Sequence, residues 1–530
     1  MPTFYLDDNP IEFEPGEKVL AAALRSGFHI PHYCYHPALS IVATCRMCLV
    51  DVVDMGNGRP APKLMTSCSM DPADGMKIET KNEKVKEARE LVMEFLLVNH
   101  PLDCPICDQA GECTLQDFSF EYGSGSSEME YSKRVYGWRD IGTFVMLERN
   151  RCIHCTRCHR FTTEVTGTHE FGTFNRSHQL TVDTFTDRPM TNKFQGNMAD
   201  ICPVGCITER EFRFKRRAWK LQKTNSICTH CSTGCNITVE QDQNTVFRLK
   251  PRENQEVNQW WMCDDGRVSL RQFNNKKNRI MQPMGRVQGT LVKASWEQIY
   301  EAIKDKVKQL AVKKDEVVAI TDTHASNEEL FLLKKLLHDV FSSEHVFFPL
   351  RLWAQPDSPN FIDTLITTDK SPNTAGAIAL GIKGNEDDSA LKQVLSEKTK
   401  LAFVLGNPLG KESEIYDLVS KADLIICIGT VLNEWAERAD VLLPGSTPVE
   451  KEGTFINKNH RVQKINAAVK APRHAKADWL ILQELIQSLG KQSTFQSTSE
   501  IFNSLATTLE TFQGLTFEDV GDLGCSLPAT

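Results

Sequence analysis

The residues best suited to chemistry in this sequence are cysteines, and most of them lie in one half of the chain. Of eighteen cysteines in 530 residues, only Cys427 and Cys525 lie beyond Cys263. The acidic N-terminal stretch MPTFYLDDNPIEFEPGEKVL is unlike a secretory signal or a basic transit peptide, so we expect folding to begin at the first residue, as in a bacterial cytoplasmic protein. In such a chain this cysteine usage favours metal sites over disulfides.

A first group of four cysteines follows a ferredoxin-like pattern. TFYLD and PIEFEP predict two short strands, and EKVLAAALRSG predicts a helix that ends at Gly27. The cysteine loop comes next, in HYCYHPALSIVATCRMCLVDV and MTSCSM, and its candidate ligands are Cys34, Cys45, Cys48 and Cys68. Four thiolates in this arrangement favour a [2Fe–2S] centre over a zinc knuckle, since zinc sites usually present two close pairs.

A predicted helix leads to the second group. ETKNEKVKEARELVMEFLLVNH has Thr80 and Glu83 in the positions of a capping box, followed by apolar residues at 85, 88, 91, 92, 95 and 96 that we place on one helical face. The helix would deliver the residues that follow it to a metal site.

Those residues are NHPLDCPICDQAGEC, which contains His100, Cys104, Cys107 and Cys113. Three thiolates leave one iron of a four-iron cluster without a ligand, and imidazole is a competent fourth ligand. A histidine before a proline is also common in surface turns. Because no spare cysteine lies nearby, the ligand interpretation of His100 is favoured.

The third group has the spacing of bacterial ferredoxins. RNRCIHCTRCHRFTTEV contains Cys152, Cys155 and Cys158 with two residues between successive cysteines, and DICPVGC supplies Cys202 before a proline. Thr162 stands where a two-cluster ferredoxin would have its next cysteine. One [4Fe–4S] cluster is therefore indicated.

A fourth group lies in SICTHCSTGCNITVE and WWMCDDGR, and consists of Cys228, Cys231, Cys235 and Cys263. The pattern alone leaves zinc as an alternative to a cluster. The four groups need sixteen ligands, and fifteen cysteines with His100 supply them. The remaining thiols, interpreted as ordinary buried cysteines, are Cys206, Cys427 and Cys525.

The second half of the chain alternates predicted strands with helices. The strands are EVVAIT, HVFFPL, KLAFVLG, ADLIICIG and ADVLLPG, and NEELFLLKKLLHDVF is an amphipathic helix. Apolar strands of this length predict parallel α/β layers. No G-x-G-x-x-G or Walker A motif appears, so a nucleotide site is not favoured. The net charge of −8 also does not suggest a nucleic-acid partner.

Three arginines lie among the candidate ligands: Arg46, Arg151 and Arg157. Their positive charges are suited to stabilise anionic clusters. The alternative is that they are solvated or paired with nearby carboxylates.

The order of these groups resembles one family. Residues 1–270 resemble the large iron–sulfur subunit of respiratory NADH:quinone oxidoreductase (complex I), in CRMC, HPLDCPICDQAGECTLQD, RCIHCTRC and DICPVG. Weaker similarity continues in VLLPGSTPVEKEGTFINKNHRVQ. Two departures are a shorter C-terminal half and Cys206, which stands where relatives usually carry a small or apolar residue.

The resemblance implies a fold of α+β and α/β domains. The expected domains are a ferredoxin-like [2Fe–2S] domain (1–78), a His/Cys3 [4Fe–4S] domain (79–120), a [4Fe–4S] domain (121–222), a molybdopterin-oxidoreductase-type [4Fe–4S] domain (223–280) and a molybdopterin-oxidoreductase-like α/β domain without its cofactor (281–530). The implied cofactors are one [2Fe–2S] cluster at the first group and three [4Fe–4S] clusters at the others, with His100 as a ligand and no molybdopterin.

By the same resemblance, the chain passes electrons from the flavin subunit that oxidises NADH toward the subunits that reduce quinone. It would have no substrate-binding catalytic site of its own, and it would lie at the cytoplasmic face of the bacterial inner membrane through other peripheral-arm subunits. The alternatives are the diaphorase arm of a hydrogenase, a molybdenum formate dehydrogenase and a zinc-stabilised interaction protein. Asp265 argues against the formate dehydrogenase, because such enzymes usually carry a basic residue after the last cluster cysteine.

Overall fold

The computed structural model describes residues 1–185, 188–349, 360–384, 392–393, 395, 399–408 and 413–528. The chain separates into two units. One comprises Met1–Leu221 with Asn360–Ile362, and the other comprises Gln222–Pro359 with Asp363–Thr530. The cysteines of the first three groups lie in the first unit, and those of the fourth lie in the second.

A five-stranded sheet opens the first unit. Its strands, in spatial order, are Asn9–Glu12, Thr3–Leu6, Lys77–Glu79, Leu49–Asp54 and Met65–Thr66. Asp7 and Asp8 have positive φ angles, as a two-residue hairpin turn requires. The helix Val19–Arg25 ends as predicted, because Gly27 adopts φ +83° and donates its N–H to the carbonyl of Leu24.

The helix that leads to the second group runs over Glu83–Leu97. The predicted capping box is wrong. Asn82 is the N-cap and accepts a hydrogen bond from the Val85 N–H at 3.1 Å. Thr80 is not free for this role, because its hydroxyl donates to the Asp7 carboxylate at 2.6 Å.

The predicted apolar face of this helix is also partly wrong. Val85, Arg89 and Met93 are the buried residues, whereas the side chains of Leu91 and Phe95 are 60% and 78% exposed. The buried residues follow a four-residue spacing, which defines a narrow stripe. The six predicted positions covered a wider arc than the protein buries.

The remaining elements of the first unit are short. The strands form one sheet of Ile207–Glu209, Val145–Glu148 and Trp138–Asp140 and a pair of Phe171–Phe174 and Thr181–Thr184. The helices are Thr114–Tyr122, Arg157–Arg160 and Gly196–Ile201, with a π-helical turn at Phe161–Val165 and 3₁₀ turns at Cys104–Ile106, Arg149–Arg151, Ser177–Gln179 and Ala218–Lys220.

The second unit is built around an eight-stranded sheet. Its order is Thr290–Lys293, Met284–Val287, Val441–Pro444, Leu424–Gly429, Leu401–Leu405, Val317–Thr321, Val346–Phe348 and Lys383–Gly384. The predicted strands all appear, and those from Val441–Pro444 to Lys383–Gly384 are parallel. Leu350, the last residue of HVFFPL, lies outside the described residues. Helices cover both faces, which explains why the strands are uninterrupted apolar runs.

Two smaller sheets complete the second unit: Gln222–Ile227, Asn236–Asp242 and Thr245–Pro251 form one, and Gly453–Ile456, Arg461–Ile465 and Cys525–Ser526 form the other. Its helices are Asp264–Val268, Leu270–Phe273, Trp296–Leu310, Asn327–Phe341, Thr374–Ala379, Glu414–Val419, Glu434–Arg438, Asp478–Ser488 and Thr498–Thr508, with 3₁₀ turns at Lys314–Glu316 and Glu510–Phe512. The 3₁₀ turn Phe361–Leu365 begins in the first unit and ends in the second. Across the described ranges, no helix is both long and apolar enough to cross a membrane.

Candidate metal centres

The sulfurs of the first group lie in contact with one another. The Cys34 sulfur is within hydrogen-bond distance of the sulfurs of Cys45 and Cys68, and the sulfurs of Cys48 and Cys68 are 3.3 Å apart. Hydrogen bonds from Cys45 and Cys68 hold the pKa of Cys34 well below its usual range, and Cys68 lowers the pKa of Cys48 to about 7. The same contacts raise the pKa of Cys45 and Cys68.

Left-handed residues shape two of the cysteine loops. Ala43 and Arg46 have φ angles of 52° and 61° in the first loop, and His154 and Thr156 have φ angles of 53° and 60° in the third. Such conformations turn successive backbone N–H groups inward and form a concave site for an anion, as in many iron–sulfur proteins. In the third loop, the His154 N–H donates to the Cys152 sulfur at 3.3 Å.

His100 lies just beyond the helix Glu83–Leu97, and its N–H donates to the Leu97 carbonyl. Its ring is largely buried, and burial lowers its pKa to about 4, so the imidazole is neutral. Within the described part of the chain, its buried Nδ1 atom has no hydrogen-bond partner. A neutral, buried and unsatisfied imidazole is suited to bind a metal.

The three cysteines of the second group lie on short turns. Cys104 begins the turn Cys104–Ile106, and the Cys107 N–H donates to the Cys104 carbonyl. Cys113 is the N-cap of the helix Thr114–Tyr122. Burial raises the pKa of Cys107, and raises that of Cys113 to about 11.

The third group is assembled from two segments. The helix Arg157–Arg160 carries Cys158, and Cys202 follows the helix Gly196–Ile201. Cys155 and Cys158 are buried deeply enough that desolvation raises the pKa of both thiols, in Cys155 to about 12.

Cys206 lies beside this third group. Its thiol is within hydrogen-bond distance of the sulfurs of both Cys152 and Cys202. Cys206 is buried, as expected. Cys427 is buried in the core of the large sheet, as expected, whereas Cys525 is only partly buried.

Two arginines connect the first group to the third. Arg160 donates hydrogen bonds to the carbonyls of Cys34, at 2.5 Å, and Cys155, at 3.2 Å. Arg157 donates to the carbonyls of Tyr35 and Ile201, at 2.5 Å and 3.1 Å. Both side chains place positive charge between the two candidate sites.

The segment after Cys202 connects the third group to the second. The Pro203 carbonyl accepts a hydrogen bond from the Thr114 hydroxyl at 3.1 Å and a weaker contact from the Cys113 sulfur at 3.8 Å. A Cβ atom placed on Gly205 would overlap the Cys107 sulfur. The backbone at Gly205 therefore lies directly against a candidate ligand of the second site.

The first and second groups also approach each other through aromatic residues. The ring of Tyr33, next to Cys34, packs against Phe118 with centroids 5.3 Å apart. Phe118 lies on the helix that Cys113 caps. The three groups of the first unit are thus mutually connected.

In the second unit, the fourth group lies at one end of a hairpin. The Cys228 N–H donates to the Cys235 carbonyl at 2.8 Å. Cys263 caps the helix Asp264–Val268, and its sulfur accepts the Gly266 N–H at 3.3 Å. A Cβ atom on Gly266 would lie 3.0 Å from the Cys228 sulfur and 3.5 Å from that of Cys263, so a small residue is needed between them. The Cys231 sulfur lies 3.9 Å from the Leu365 carbonyl.

Two lysines lie close to this fourth group. Lys370 is close enough for its positive charge to favour the thiolate forms of Cys228 and Cys263. Cys231 and Cys235 are close enough to favour the charged form of Lys458. Lys370 reaches the site from a segment about a hundred residues after Cys263. The argument from Asp265 against a formate dehydrogenase concerns only the residues next to Cys263, and it stays a prediction.

The three arginines that lie among the candidate ligands in sequence have different environments. Arg46 is exposed, and Arg157 is bound to backbone carbonyls. Arg151 forms an ion pair with Asp103, at 2.6 Å between Nη2 and Oδ2. Arg151 therefore has a carboxylate partner, and its positive charge also acts on the Cys107 thiol. Its effect on a bound cluster stays a prediction.

The donor set fits iron–sulfur clusters. Burial raises the pKa of seven candidate ligands and so disfavours their free thiolates: Cys107, Cys113, Cys155, Cys158, Cys228, Cys235 and Cys263. The positive charge of bound iron would offset that penalty. No three His, Cys, Asp or Glu side chains in the described ranges surround one point as the ligands of a single ion would. Clusters do not require this, because they distribute their protein ligands over several irons.

The sequence predicted the candidate cysteine ligands but not the other residues that surround them. Arg160, Gly205, Lys370 and Lys458 reach the candidate sites only through the tertiary fold.

Five family models match the chain. They are "2Fe-2S iron-sulfur cluster binding domain" at residues 1–83, "NADH-ubiquinone oxidoreductase-G iron-sulfur binding region" at 89–128, "NADH-quinone oxidoreductase subunit 3, ferredoxin-like domain" at 142–208, "Molybdopterin oxidoreductase Fe4S4 domain" at 221–275, and "Molybdopterin oxidoreductase" at 279–348 and 360–488.

Proteins similar to this chain are named as subunits of NADH-quinone or NADH-ubiquinone oxidoreductase. An NADH-quinone oxidoreductase subunit of Rickettsia conorii is 40% identical over 340 residues, which cover 64% of this chain and 49% of that protein. The mitochondrial NADH-ubiquinone oxidoreductase 78 kDa subunit of Candida albicans is 31% identical over 599 residues, covering 91% and 82%. The chain spans about half the length of the bacterial relative it matches.

A solved structure of an NAD+-reducing [NiFe]-hydrogenase also matches, at 28% identity. The match covers 41% of this chain and 90% of the other, with a TM-score of 0.37. A score this low supports no structural argument.

The fold and the family models define an iron–sulfur protein with 2Fe-2S and 4Fe-4S binding domains followed by a molybdopterin-oxidoreductase-type α/β domain. The chain belongs to the family of large iron–sulfur subunits of NADH:quinone oxidoreductase, known in mitochondria as the 75 kDa or 78 kDa subunit.

Proposed function

We propose that this chain is the electron-transfer subunit of a complex I, carrying electrons from NADH oxidation toward quinone. It would hold one [2Fe–2S] cluster at the first cysteine group and a [4Fe–4S] cluster at each of the other three, with His100 as the non-cysteine ligand. The observation that carries the proposal is that one chain gathers several buried donor groups, three of them in mutual contact.

The residues between the groups have identifiable roles. When bound, the clusters supply one-electron redox chemistry. Arg157 and Arg160 hold the first and third loops together and place positive charge between them. Gly205 allows the third loop to pack against the second group. Burial of the sulfurs excludes water from the sites, which limits loss of electrons to side reactions.

The proposal assigns partners by chemistry. Because no NADH or quinone site is assigned to this chain, electrons would enter from a flavin subunit that binds NADH and leave to other iron–sulfur subunits of the peripheral arm. Association with the cytoplasmic face of the inner membrane would then be indirect. The α/β half would serve as a scaffold without molybdopterin.

The test uses anaerobically purified full-length chain and the NADH-binding flavoprotein of the same complex. NADH should bleach the visible iron–sulfur absorption only when the flavoprotein is present, whereas dithionite should bleach it in either case. Bleaching of the isolated chain by NADH would contradict the proposal, because it would place an NADH site on this chain. Failure of NADH with the flavoprotein present, while dithionite succeeds, would contradict the proposed electron donor.

A further inference from the structure

Arg89 is a buried arginine in the middle of the helix Glu83–Leu97, and only 5% of its surface is exposed. Its guanidinium donates hydrogen bonds to the Thr80 carbonyl at 3.0 Å and to the Leu49 carbonyl at 3.3 Å. The guanidinium also lies over the ring of Tyr122, 5.3 Å from the ring centroid. One side chain therefore connects three segments that are separate in the sequence.

No carboxylate lies beside Arg89 in the part of the chain that the structure describes. Its guanidinium forms no ion pair within 4 Å there, and the carboxylates of Asp7 and Glu121 act on it only from a longer distance. Its buried Nε atom also has no hydrogen-bond partner among those residues. Because a buried cation costs free energy unless a negative charge lies nearby, the position suits an anionic group next to Arg89.

The hydrogen bond to Leu49 places Arg89 beside the first cysteine group. Leu49 directly follows Cys48 in the sequence and begins a strand. In the sheet, Leu49 pairs with Thr66, which lies two residues before Cys68. The sulfurs of Cys48 and Cys68 are 3.3 Å apart. Arg89 therefore holds the strand end that positions two of the four candidate ligands.

We infer that Arg89 is a positioning residue of the first candidate cluster, and that its positive charge raises the reduction potential of that cluster. The inference rests on the proposed assignment of the first group to a [2Fe–2S] cluster. A cluster with four thiolate ligands is anionic, and reduction makes it more negative, so a buried positive charge nearby stabilises the reduced form. The same cluster would supply the negative charge that Arg89 lacks in its immediate surroundings.

The second candidate site is farther from this charge. Tyr122 is the last residue of the helix Thr114–Tyr122, whereas Cys113 caps its first turn. At a rise of about 1.5 Å per residue, the helix separates Tyr122 from Cys113 by roughly 13 Å. Arg89 also lies eleven residues before His100 in the sequence. The charge of Arg89 should therefore act mainly on the first cluster.

The test is a redox titration of the full-length chain followed by EPR. Arg89→Gln keeps N–H donors but removes the charge. The first cluster should then become harder to reduce, with a roughly tenfold lower ratio of reduced to oxidised cluster at a fixed potential, which is about 59 mV for a one-electron couple. Arg89→Lys keeps the charge and should recover most of that shift. Arg286→Gln is the matched control, because Arg286 also donates to backbone carbonyls but lies in the second unit.

Three results would overturn the inference. An intact first cluster with an unchanged potential in Arg89→Gln would exclude an effect of the charge. A shift in Arg89→Lys as large as that in Arg89→Gln would show that the charge is not the cause. Loss of the first cluster from Arg89→Gln would make Arg89 a requirement for folding instead. Absence of the first-cluster signal from the unmodified chain would refute the cluster assignment itself.

Discussion

Gly205 lies so close to Cys107 that any side chain at position 205 would overlap the cysteine sulfur. The contact joins the candidate third site to the second. Glycine is required here by proximity rather than by a positive φ angle. The packing of the two sites can therefore be tested at this single position.

The substitution Gly205→Ala should displace the Cys107 sulfur and disturb the second cluster more than the first. Its EPR signal should broaden or be lost, with up to four irons released per chain. Gly172→Ala is the matched control, because a Cβ atom there meets no neighbour within 4 Å. An unchanged second-cluster signal in Gly205→Ala would show that the two segments are not in contact.

His100 provides the second prediction. His100→Ala should open one ligand position and alter only the second cluster, whereas His100→Cys should retain a four-iron cluster with a different potential. The measurement is EPR of the reduced chain, with the exposed His178→Ala as the control. An unaltered spectrum in His100→Ala would return this histidine to the role of a turn residue.

Arg160 provides the third prediction. Arg160→Met removes a buried positive charge and its hydrogen bonds to the Cys34 and Cys155 carbonyls. Both the first and third clusters should become harder to reduce, by about tenfold in the reduced-to-oxidised ratio at a fixed potential. Arg59→Met is the control, because Arg59 is exposed, its charge is screened and it is not adjacent in sequence to a candidate ligand. A change in reduction potential confined to one of the two clusters would contradict the shared role of Arg160.

The fourth prediction concerns the stability of the α/β half. Lys451 is buried and pairs with the carboxylates of Glu329 at 2.6 Å and Asp478 at 3.2 Å. Lys451→Met would leave two buried carboxylates without a counter-charge and should destabilise the fold by about 3 kcal/mol or more. For a domain of this size, the thermal midpoint should fall by roughly 6 °C or more. Lys335→Met, which breaks a partly exposed pair with Asp339, should cost less than about 0.5 kcal/mol.

The pH dependence of that variant has a definite sign. Burial raises the pKa of Glu329 to about 7 even with Lys451 present, which is above the ordinary value of 4.5. A carboxyl group with a raised pKa in the folded state is stabilising at low pH, and its contribution is lost as the pH rises through that pKa. The loss in the free energy of unfolding caused by Lys451→Met should therefore be smaller at pH 5 than at pH 8. A loss that grows on acidification would contradict the buried-charge explanation.

Sequence reasoning succeeded where the chemistry is local. Strand–helix alternation and cysteine spacing depend on neighbours within a few residues, and those patterns predicted the fold class. The grouping of the candidate ligands stays a prediction. Whether those residues bind iron stays a prediction.

Sequence reasoning failed where contacts join residues that are far apart in the sequence. Arg160 is 126 residues from Cys34, and no local pattern predicts their hydrogen bond. The buried face of the helix Glu83–Leu97 depends on the sheet beneath it, so Arg89 is buried while Phe95 is exposed. Lys370 changes the charge of the fourth site from a distant segment, which an argument from Asp265 alone could not anticipate.

The most direct measurement is the iron, acid-labile sulfide and zinc content of the anaerobically purified chain, combined with EPR. One two-iron and three four-iron clusters predict about fourteen irons with matching sulfide and no stoichiometric zinc. A content near ten irons, with the EPR signals of the first three clusters all present, would show the fourth site empty. A colourless protein with stoichiometric zinc and no sulfide would contradict the proposal that this chain carries electrons.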